Sequence, residues 1–423
     1  MTAPCPAATG LAPPKVPRPA RAPLARSRDV VALWRELSAL DDRDLPRGEH
    51  AVAVAELVEG FWRDHADSPV VERVPGAPGE RIVTFLWRDA EAEEVLLFVN
   101  RVTDELRLPD SLMRRVPGTD VWHLSYRMRS DWRASYCVLP RSRGVPWPWA
   151  DGDQLAIRRA LDRGLPDPRN PRAIRNRAGR LQSVVELPGA PSQPWLAPRE
   201  GVARGRVSER LGPDDRTVWL YEPADAPSAP LPVVVLLDGE VWTGPQDAAT
   251  TLDNLIHDRE IRPCAAVLAH SGGRERRWSE LGAAGEGVDW IADRLLPWAR
   301  ARLPISADPA EVVLAGQSLG GLTALRAVLL RPEAVGSALA QSAALWQADL
   351  AGLLPGAALA RARFWIEVGL QEWVLGEPNR RLAAALAAAG ADVRLAEYNG
   401  GHDYACWRGG LAEGLRHLLP ADL

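Results

Sequence analysis

A serine set between glycines, with a buried strand before it and a helix after it, constrains this chain more than any other feature. Gly316-Gln317-Ser318-Leu319-Gly320-Gly321 follows the apolar run Glu311-Val312-Val313-Leu314-Ala315 and opens a helical run, Leu319 to Leu330, that Arg331-Pro332 stops. A strand that turns at once into a helix strains the serine backbone and exposes the hydroxyl, as a nucleophile requires. The flanking glycines make room for that bend. The backbone N–H of Leu319 then points to where an oxyanion would form.

The segments around it agree. Residues 233–237, 265–269, 312–315, 364–368 and 393–398 read as strands, and residues 248–257, 288–303, 319–330, 379–389 and 408–418 as helices between them. Strands that are apolar without interruption are buried on both faces, so the pattern predicts a mostly parallel sheet covered by helices on both sides. The first part of the chain differs. Apolar residues at three-to-four spacing (Val30, Leu33, Trp34, Leu37; Val54, Leu57, Val58, Phe61) predict helices over 29–40 and 51–65. Short strands follow at 82–87, 94–99, 121–126 and 134–138, with turns such as Pro117-Gly118-Thr119-Asp120 between them. That spacing predicts an antiparallel sandwich.

With 423 residues the chain is long enough for two domains. The expected division is a disordered Pro-, Ala- and Arg-rich tail over 1–27 and a helical lead-in with the sandwich over 28–185. A linker over 186–200 and the α/β domain over 201–423 complete it. Asp167-Pro168-Arg169-Asn170-Pro171 is a second proline-rich stretch of linker character.

Net charge is −4, so the basic face of a nucleic-acid binder is not expected. Lys15 is the only lysine, and the cationic residues are otherwise arginine. Seventeen Trp stand against four Phe and five Tyr, a composition for core packing and for lining an aromatic-binding pocket. Cys5, Cys137, Cys264 and Cys406 are scattered without paired spacing, which fits reduced thiols in the cytoplasm and no metal site. No apolar run approaches membrane-spanning length, and the first 27 residues contain no apolar core of a signal peptide. The expected partner is a small molecule, not a nucleic acid or a membrane.

A serine hydroxyl is a poor nucleophile until a base takes its proton. Of seven histidines, His402 lies in Gly400-Gly401-His402-Asp403, a loop directly after the last predicted strand. His50 and His65 sit in the N-terminal helical part, His123 on a sandwich strand and His257 and His417 in predicted helices, and His270 directly follows a strand. The third catalytic member is a carboxylate after the strand that follows the nucleophile. Glu372 in Gly369-Leu370-Gln371-Glu372-Trp373 is the choice; Glu367, within the strand, and Asp403, beside the base, are the alternatives. A second oxyanion donor is expected from Gly239 in Leu237-Asp238-Gly239-Glu240-Val241-Trp242, a stretch equally compatible with an ordinary tight turn. Arg274, Arg276 and Arg277 make a dense basic loop after residues 265–269, suited to an anionic ligand or to solvent.

Together these segments resemble the enterochelin (ferric enterobactin) esterase family of the α/β-hydrolase superfamily. The most specific match is Gly400-Gly401-His402-Asp403-Tyr404-Ala405-Cys406-Trp407-Arg408. Leu237 to Trp242, Arg277-Trp278-Ser279-Glu280-Leu281, Gly316 to Gly321, Gln341-Ser342 with Trp346, and Gln371-Glu372-Trp373 are similar to that family's blocks. So are Val83 to Trp87 and Trp122 to Tyr136, and the resemblance runs from about residue 70 to the end. It implies an immunoglobulin-like sandwich ahead of an α/β-hydrolase domain that cleaves tri-catecholate siderophore esters in the cytoplasm and releases iron. It implies Ser318 as nucleophile and His402 as base. Arg277, with Arg274 in the same loop, becomes a contact for the iron-catecholate trianion, and Trp242 and Trp346 stack on catechol rings. No cofactor is implied, because the iron enters as part of the substrate. A carboxylesterase or acyltransferase of the same fold and a catalytically silent siderophore binder are the alternatives.

Overall fold

The computed structural model describes residues 16–421 apart from 148, 151–153, 227, 229, 357 and 358. Residues 1–15 of the expected tail lie outside the described residues. The chain forms two units: Pro17–Pro191 together with Asn399–Ala405, and Ser192–Tyr398 together with the described residues from Cys406 on.

The first unit is built on eight strands: β1 (Val70–Val74), β2 (Ala77–Arg88), β3 (Ala92–Val99), β4 (Arg114–Arg115), β5 (Val121–Arg129), β6 (Arg133–Ser142), β7 (Ala173–Arg175) and β8 (Leu181–Glu186). They make two four-stranded antiparallel sheets, ordered β1-β2-β5-β4 and β3-β6-β8-β7. Val83 and Phe85 of one sheet and Val95, Leu97 and Tyr136 of the other share one core, where the Phe85 and Tyr136 rings meet edge to face at 4.7 Å. Helices Arg28–Asp41 and Arg47–Asp64 close over the other face of β2 and β5, bringing Val30, Leu33, Phe61 and Trp62 onto Leu86 and Val121. Ser27 caps the first of them by accepting from Val30 N–H.

Two expectations are corrected here. The tail is not free up to residue 27: Ala25 N–H donates to Ser125 O and Arg127 N–H to Pro23 O, which extends the β5 edge. The proline-rich stretch at 167–171 does not end the sandwich, because β7 and β8 follow it. The unit continues past residue 185, where Leu187 N–H donates to Trp132 O and Gly189 N–H to Ser130 O.

The second unit carries β9 (Arg206–Leu211), β10 (Thr217–Glu222), β11 (Val233–Leu237), β12 (Ala265–Ala269), β13 (Val312–Gln317), β14 (Ser337–Gln341), β15 (Arg363–Gly369) and β16 (Asp392–Tyr398). They form one sheet in the order β16-β15-β14-β13-β11-β12-β10-β9. The run from β16 to β12 is parallel, and β10 and β9 join antiparallel. Leu314, Val235, Leu322, Ile291 and Leu295 belong to the core on which the sheet and its helices close. The chain leaves β11 towards β12 and returns to β13 on the other side of β11. This reversal opens a crevice at the carboxyl ends of β11 and β13, the position where open α/β sheets bind ligands. Among the described residues no helix is long and apolar enough to cross a membrane.

Candidate active site

Ser318 occupies the junction between β13 and helix Leu319–Leu330 with φ 59° and ψ −114°, a backbone conformation that a side chain rarely adopts. Its two neighbouring peptides are held: Ser318 N–H donates to Gln341 O at 2.9 Å, and Ser318 O accepts from Leu322 and Ala344 N–H. Gly316 is what allows the bend. A Cβ there would lie 2.5 Å from Gly320 C and 2.6 Å from Gly320 O, whereas a Cβ on Gly320 would meet only Leu237 at 3.5 Å. Leu319 is the first residue of the helix, so its N–H lacks an intrahelical partner by construction.

The loop after β11 approaches the same crevice. Asp238 takes a left-handed conformation (φ 59°), and Gly239–Trp242 forms one helical turn. Gly239 is needed for packing: a Cβ would lie 2.6 Å from Leu268 C in the β12 backbone. Below these two turns a line of buried polar groups joins the strand ends. Trp242 Nε1 donates to Gln317 Oε1 (3.1 Å), Gln317 Nε2 to Gln341 Oε1 (2.7 Å), and Gln341 Nε2 to Glu367 Oε1 (2.7 Å). Trp365 Nε1 donates to Glu367 Oε2 at 3.0 Å. Burial pushes the Glu367 carboxyl up to about 7 against the pull of the Trp365 and Gln341 donors, and the Glu372 charge adds to the rise. Sequence reasoning missed Gln317 and Gln341. The one signal was local: Gln317 directly precedes the nucleophile, and Gln341 stands in the Gln341-Ser342 block of the resemblance.

The arginine-rich stretch is a helix, Arg274–Leu281, not a loop, and it separates its guanidinium groups. Arg274 is exposed at the first position. Arg276 Nε donates to Glu280, which also accepts from Arg216. Arg277 is buried and forks onto Asp238 at 2.7 Å through both Nε and Nη2. Trp242 corrects another expectation. It is 1% exposed with its N–H spent on Gln317, so it has no free face to stack on a ring. Trp346 is partly exposed and lies 6.1 Å from the Trp278 ring, a partner that sequence reasoning passed over.

Glu372 follows β15 and is buried. Its Oε1 accepts from Ser342 Oγ (2.6 Å), Gly369 N–H (3.0 Å) and Tyr398 Oη (3.4 Å). Ser342 sits at φ 50° and also accepts from Trp407 Nε1 at 3.0 Å. The Tyr398 hydroxyl is pushed well up by burial and by the nearby Glu372 charge, so it stays a proton donor.

His402 lies in the other unit, on Asn399–Ala405, and is partly exposed. Residues of that unit grip the segment. Asn100 Nδ2 donates to His402 O (2.9 Å), Arg133 N–H to Asn399 O (3.0 Å), and Asn399 Nδ2 to Asp131 (2.7 Å). Asp403 accepts Ser135 N–H on one oxygen (2.5 Å) and Ala405 N–H on the other (2.9 Å). Gly401 leaves space for this, since a Cβ would lie 2.5 Å from Asn100 Oδ1. Elsewhere His50 pairs with Asp41 and His65 with Asp29, and burial beside Arg114 lowers His123 to about 4. His270 Nδ1 accepts from Gly272 N–H.

Known proteins match this architecture along most of its length. The family model for the enterochelin esterase N-terminal domain matches residues 82–196, and the esterase family model matches residues 208–418. An iron(III) enterobactin esterase of Escherichia coli O6:H1 is 34% identical over 364 residues, which is 79% of this chain and 90% of the relative. An iron(III) salmochelin esterase of the same organism is 34% identical over 392 residues, 86% of this chain and 93% of the relative. The crystal structure of a ferric enterobactin esterase from Salmonella typhimurium superposes with a TM-score of 0.76 at 30% identity, covering 85% of this chain and 98% of that one. An enterobactin esterase from Shigella flexneri, crystallised in the presence of enterobactin, gives a TM-score of 0.71 at 29% identity over 85% and 97%.

Proposed function

The chain belongs to the iron(III) enterobactin esterase family and is an esterase, and from that premise we propose that it hydrolyses the ester bonds of ferric catecholate siderophores, trilactones of the enterobactin type, in the cytoplasm and so frees their iron. Ser318 Oγ attacks the ester carbonyl carbon while His402 takes its proton. The carbonyl oxygen becomes an oxyanion that the N–H groups of Leu319 and Gly239 stabilise. The tetrahedral intermediate collapses, the bond from the carbonyl carbon to the departing seryl oxygen breaks, and His402 protonates that oxygen. Water, giving its proton to the same histidine, then attacks the acyl-enzyme and restores Ser318.

Glu372 is the acid that supports the imidazolium, by its position after the strand that follows the nucleophile's neighbour. The exposed Arg274 and the partly exposed Trp346 and Trp278 offer a guanidinium and aromatic faces suited to a ferric tri-catecholate trianion. Iron enters with the substrate. Among the described residues Cys137, Cys264 and Cys406 are buried thiols, as a reducing compartment allows.

The observation that carries the reading is the backbone of Ser318, left-handed between a parallel strand and a helix. The test is chromatography of ferric enterobactin after incubation with the protein. Linear and monomeric dihydroxybenzoyl-serine are expected, and Ser318→Ala should lower the rate on the order of 10⁵- to 10⁶-fold. Cleavage that survives this substitution, or turnover of simple esters with the siderophore left intact, sinks the proposal. Glu372→Gln, Glu367→Gln and Asp403→Asn, compared one at a time, identify the acid as the one with the largest loss of kcat.

A further inference from the structure

Neighbouring parallel strands converge on one carboxylate oxygen. Ser342 directly follows β14, Gly369 ends β15 and Tyr398 ends β16, and each gives a donor to Glu372 Oε1. The strand register fixes this convergence, since Gln341 lies opposite Glu367 and Gly369 opposite Tyr398. The Ser342 contact, at 2.6 Å, has the length of a hydroxyl bond to a charged acceptor. Those from Gly369 N–H and Tyr398 Oη are longer, at 3.0 and 3.4 Å. Ser342 and Glu372 are both buried.

One neighbour decides which way the serine proton points. Trp407 Nε1, 3.0 Å from Ser342 Oγ, can only donate, so the serine oxygen is the acceptor there. Its single proton is left for the carboxylate. The Tyr398 hydroxyl lies 3.3 Å from the same Oγ and adds a further proton to the cluster. The Ser342 backbone has φ 50°, and its N–H donates to Glu367 O at 2.7 Å. A turn that needed only this left-handed bend would favour glycine, so the side chain is what a serine adds.

We propose that Ser342 is a positioning residue that orients the carboxylate of Glu372, the acid of the triad, with Tyr398 as its support. The inference rests on Glu372, Ser318 and His402 in the roles given them above. A carboxylate held by one peptide N–H can still turn about its side-chain torsions. A charge-assisted donor on the same oxygen fixes its plane. A fixed acid in turn keeps the catalytic imidazole in one tautomer and one orientation through both proton transfers. Removing the hydroxyl would leave a buried charge short of one donor.

The test is a double-mutant cycle of Ser342→Ala and Glu372→Gln, with Ser342→Gly beside it. Rates are read on ferric enterobactin and on p-nitrophenyl acetate, and folding by circular dichroism and urea unfolding. Both Ser342 variants should lower kcat roughly tenfold on both esters, with KM changed by less than about threefold. In the Glu372→Gln background Ser342→Ala should add less than about threefold, because the group it positions is already gone. Ser342→Gly, relieved of the left-handed strain, should unfold at a higher urea concentration than Ser342→Ala and yet be no faster. An undiminished loss in the Glu372→Gln background overturns the proposal, since the serine would then act apart from the acid. A glycine variant as fast as the unaltered protein also overturns it, and so does loss of fold in both Ser342 variants: either would assign Ser342 to the scaffold alone. A loss confined to the siderophore overturns it in favour of a substrate contact. If Glu372→Gln keeps its full rate, the acid assignment fails and the proposal with it; if only Ser342→Ala does, the proposal fails and the acid stands. Turnover of the neutral ester with the siderophore intact leaves the cycle readable and removes only the siderophore assignment.

Discussion

The Ser318 elbow and the His402 segment are held by opposite means. The elbow grows out of regular structure: β13 is paired in register on both sides, with β11 and β14, and the helix after it is buried along most of its length. The segment Asn399–Ala405 is irregular up to the helix start at Tyr404, and belongs to the unit built on the sandwich. Polar contacts spanning 268 to 302 residues of sequence hold it, from Asn100, Asp131 and Ser135. Apolar burial and strand register resist small losses, because many contacts share the load. A segment held by a few hydrogen bonds loses its position when one of them goes.

Four substitutions probe that contrast. The largest effect on stability is expected at Gly316. Gly316→Ala drives a methyl group into the Gly320 backbone, and should cost about 1–3 kcal/mol in urea unfolding together with most of the activity. Gly320→Ala, whose methyl would meet Leu237 only at ordinary contact distance, should stay within about half a kcal/mol on the same measurement. Equal losses at the two glycines would mean that the elbow is not held by the close approach described above.

Glu367 reports on the polar line beneath the elbow through pH. Its carboxyl is raised to about 7 in the folded chain from 4.5, so between those values the folded state holds a proton that the unfolded state has released. Stability therefore falls as pH rises across that window, by up to about 3 kcal/mol from this group, and changes no further above it. Glu367→Gln should flatten the profile of unfolding free energy between pH 5 and 8. An unchanged profile would assign the slope to other groups.

A smaller loss of stability than at Gly316, and the most specific effect on catalysis, is expected at Asn100. Asn100→Ala removes the donor to His402 O, at about 1 kcal/mol in unfolding. It should lower kcat about tenfold or more with little change in KM, because a base held loosely spends less time aligned. The same kcat for Asn100→Ala and the unaltered protein would show that the other contacts of the segment suffice.

Much of this was legible in the sequence because the signals were local. The apolar runs at Val233–Leu237 and Val312–Gln317 announced parallel strands, and Gly316 to Gly321 between a strand and a helix announced the elbow. Other elements lacked such signals. Ser337–Gln341 is a run of small residues with no strong preference, and Arg206–Leu211 is largely exposed and polar, yet both are strands because neighbouring strands supply their hydrogen bonds. Arg277 read as a cation for solvent or an anionic ligand because its partner is not local: Asp238 lies 39 residues earlier, whereas the nearby Glu280 pairs with Arg276 and Arg216. Trp242 was expected to stack through the resemblance alone; the partner that holds it, Gln317, lies 75 residues later.

The sequence by itself determined which residues carry the chemistry: a serine on a strained bend, a histidine after the last strand, and carboxylates in range along the chain. Backbone strain and strand burial are short-range consequences of residue type, so they can be read in order. Only the tertiary structure decided which arginine is exposed and which is locked in an ion pair, which tryptophan is core, and that the histidine segment is gripped by the sandwich unit. Those outcomes depend on desolvation and on hydrogen bonds between residues far apart in sequence, and folding alone brings such partners together.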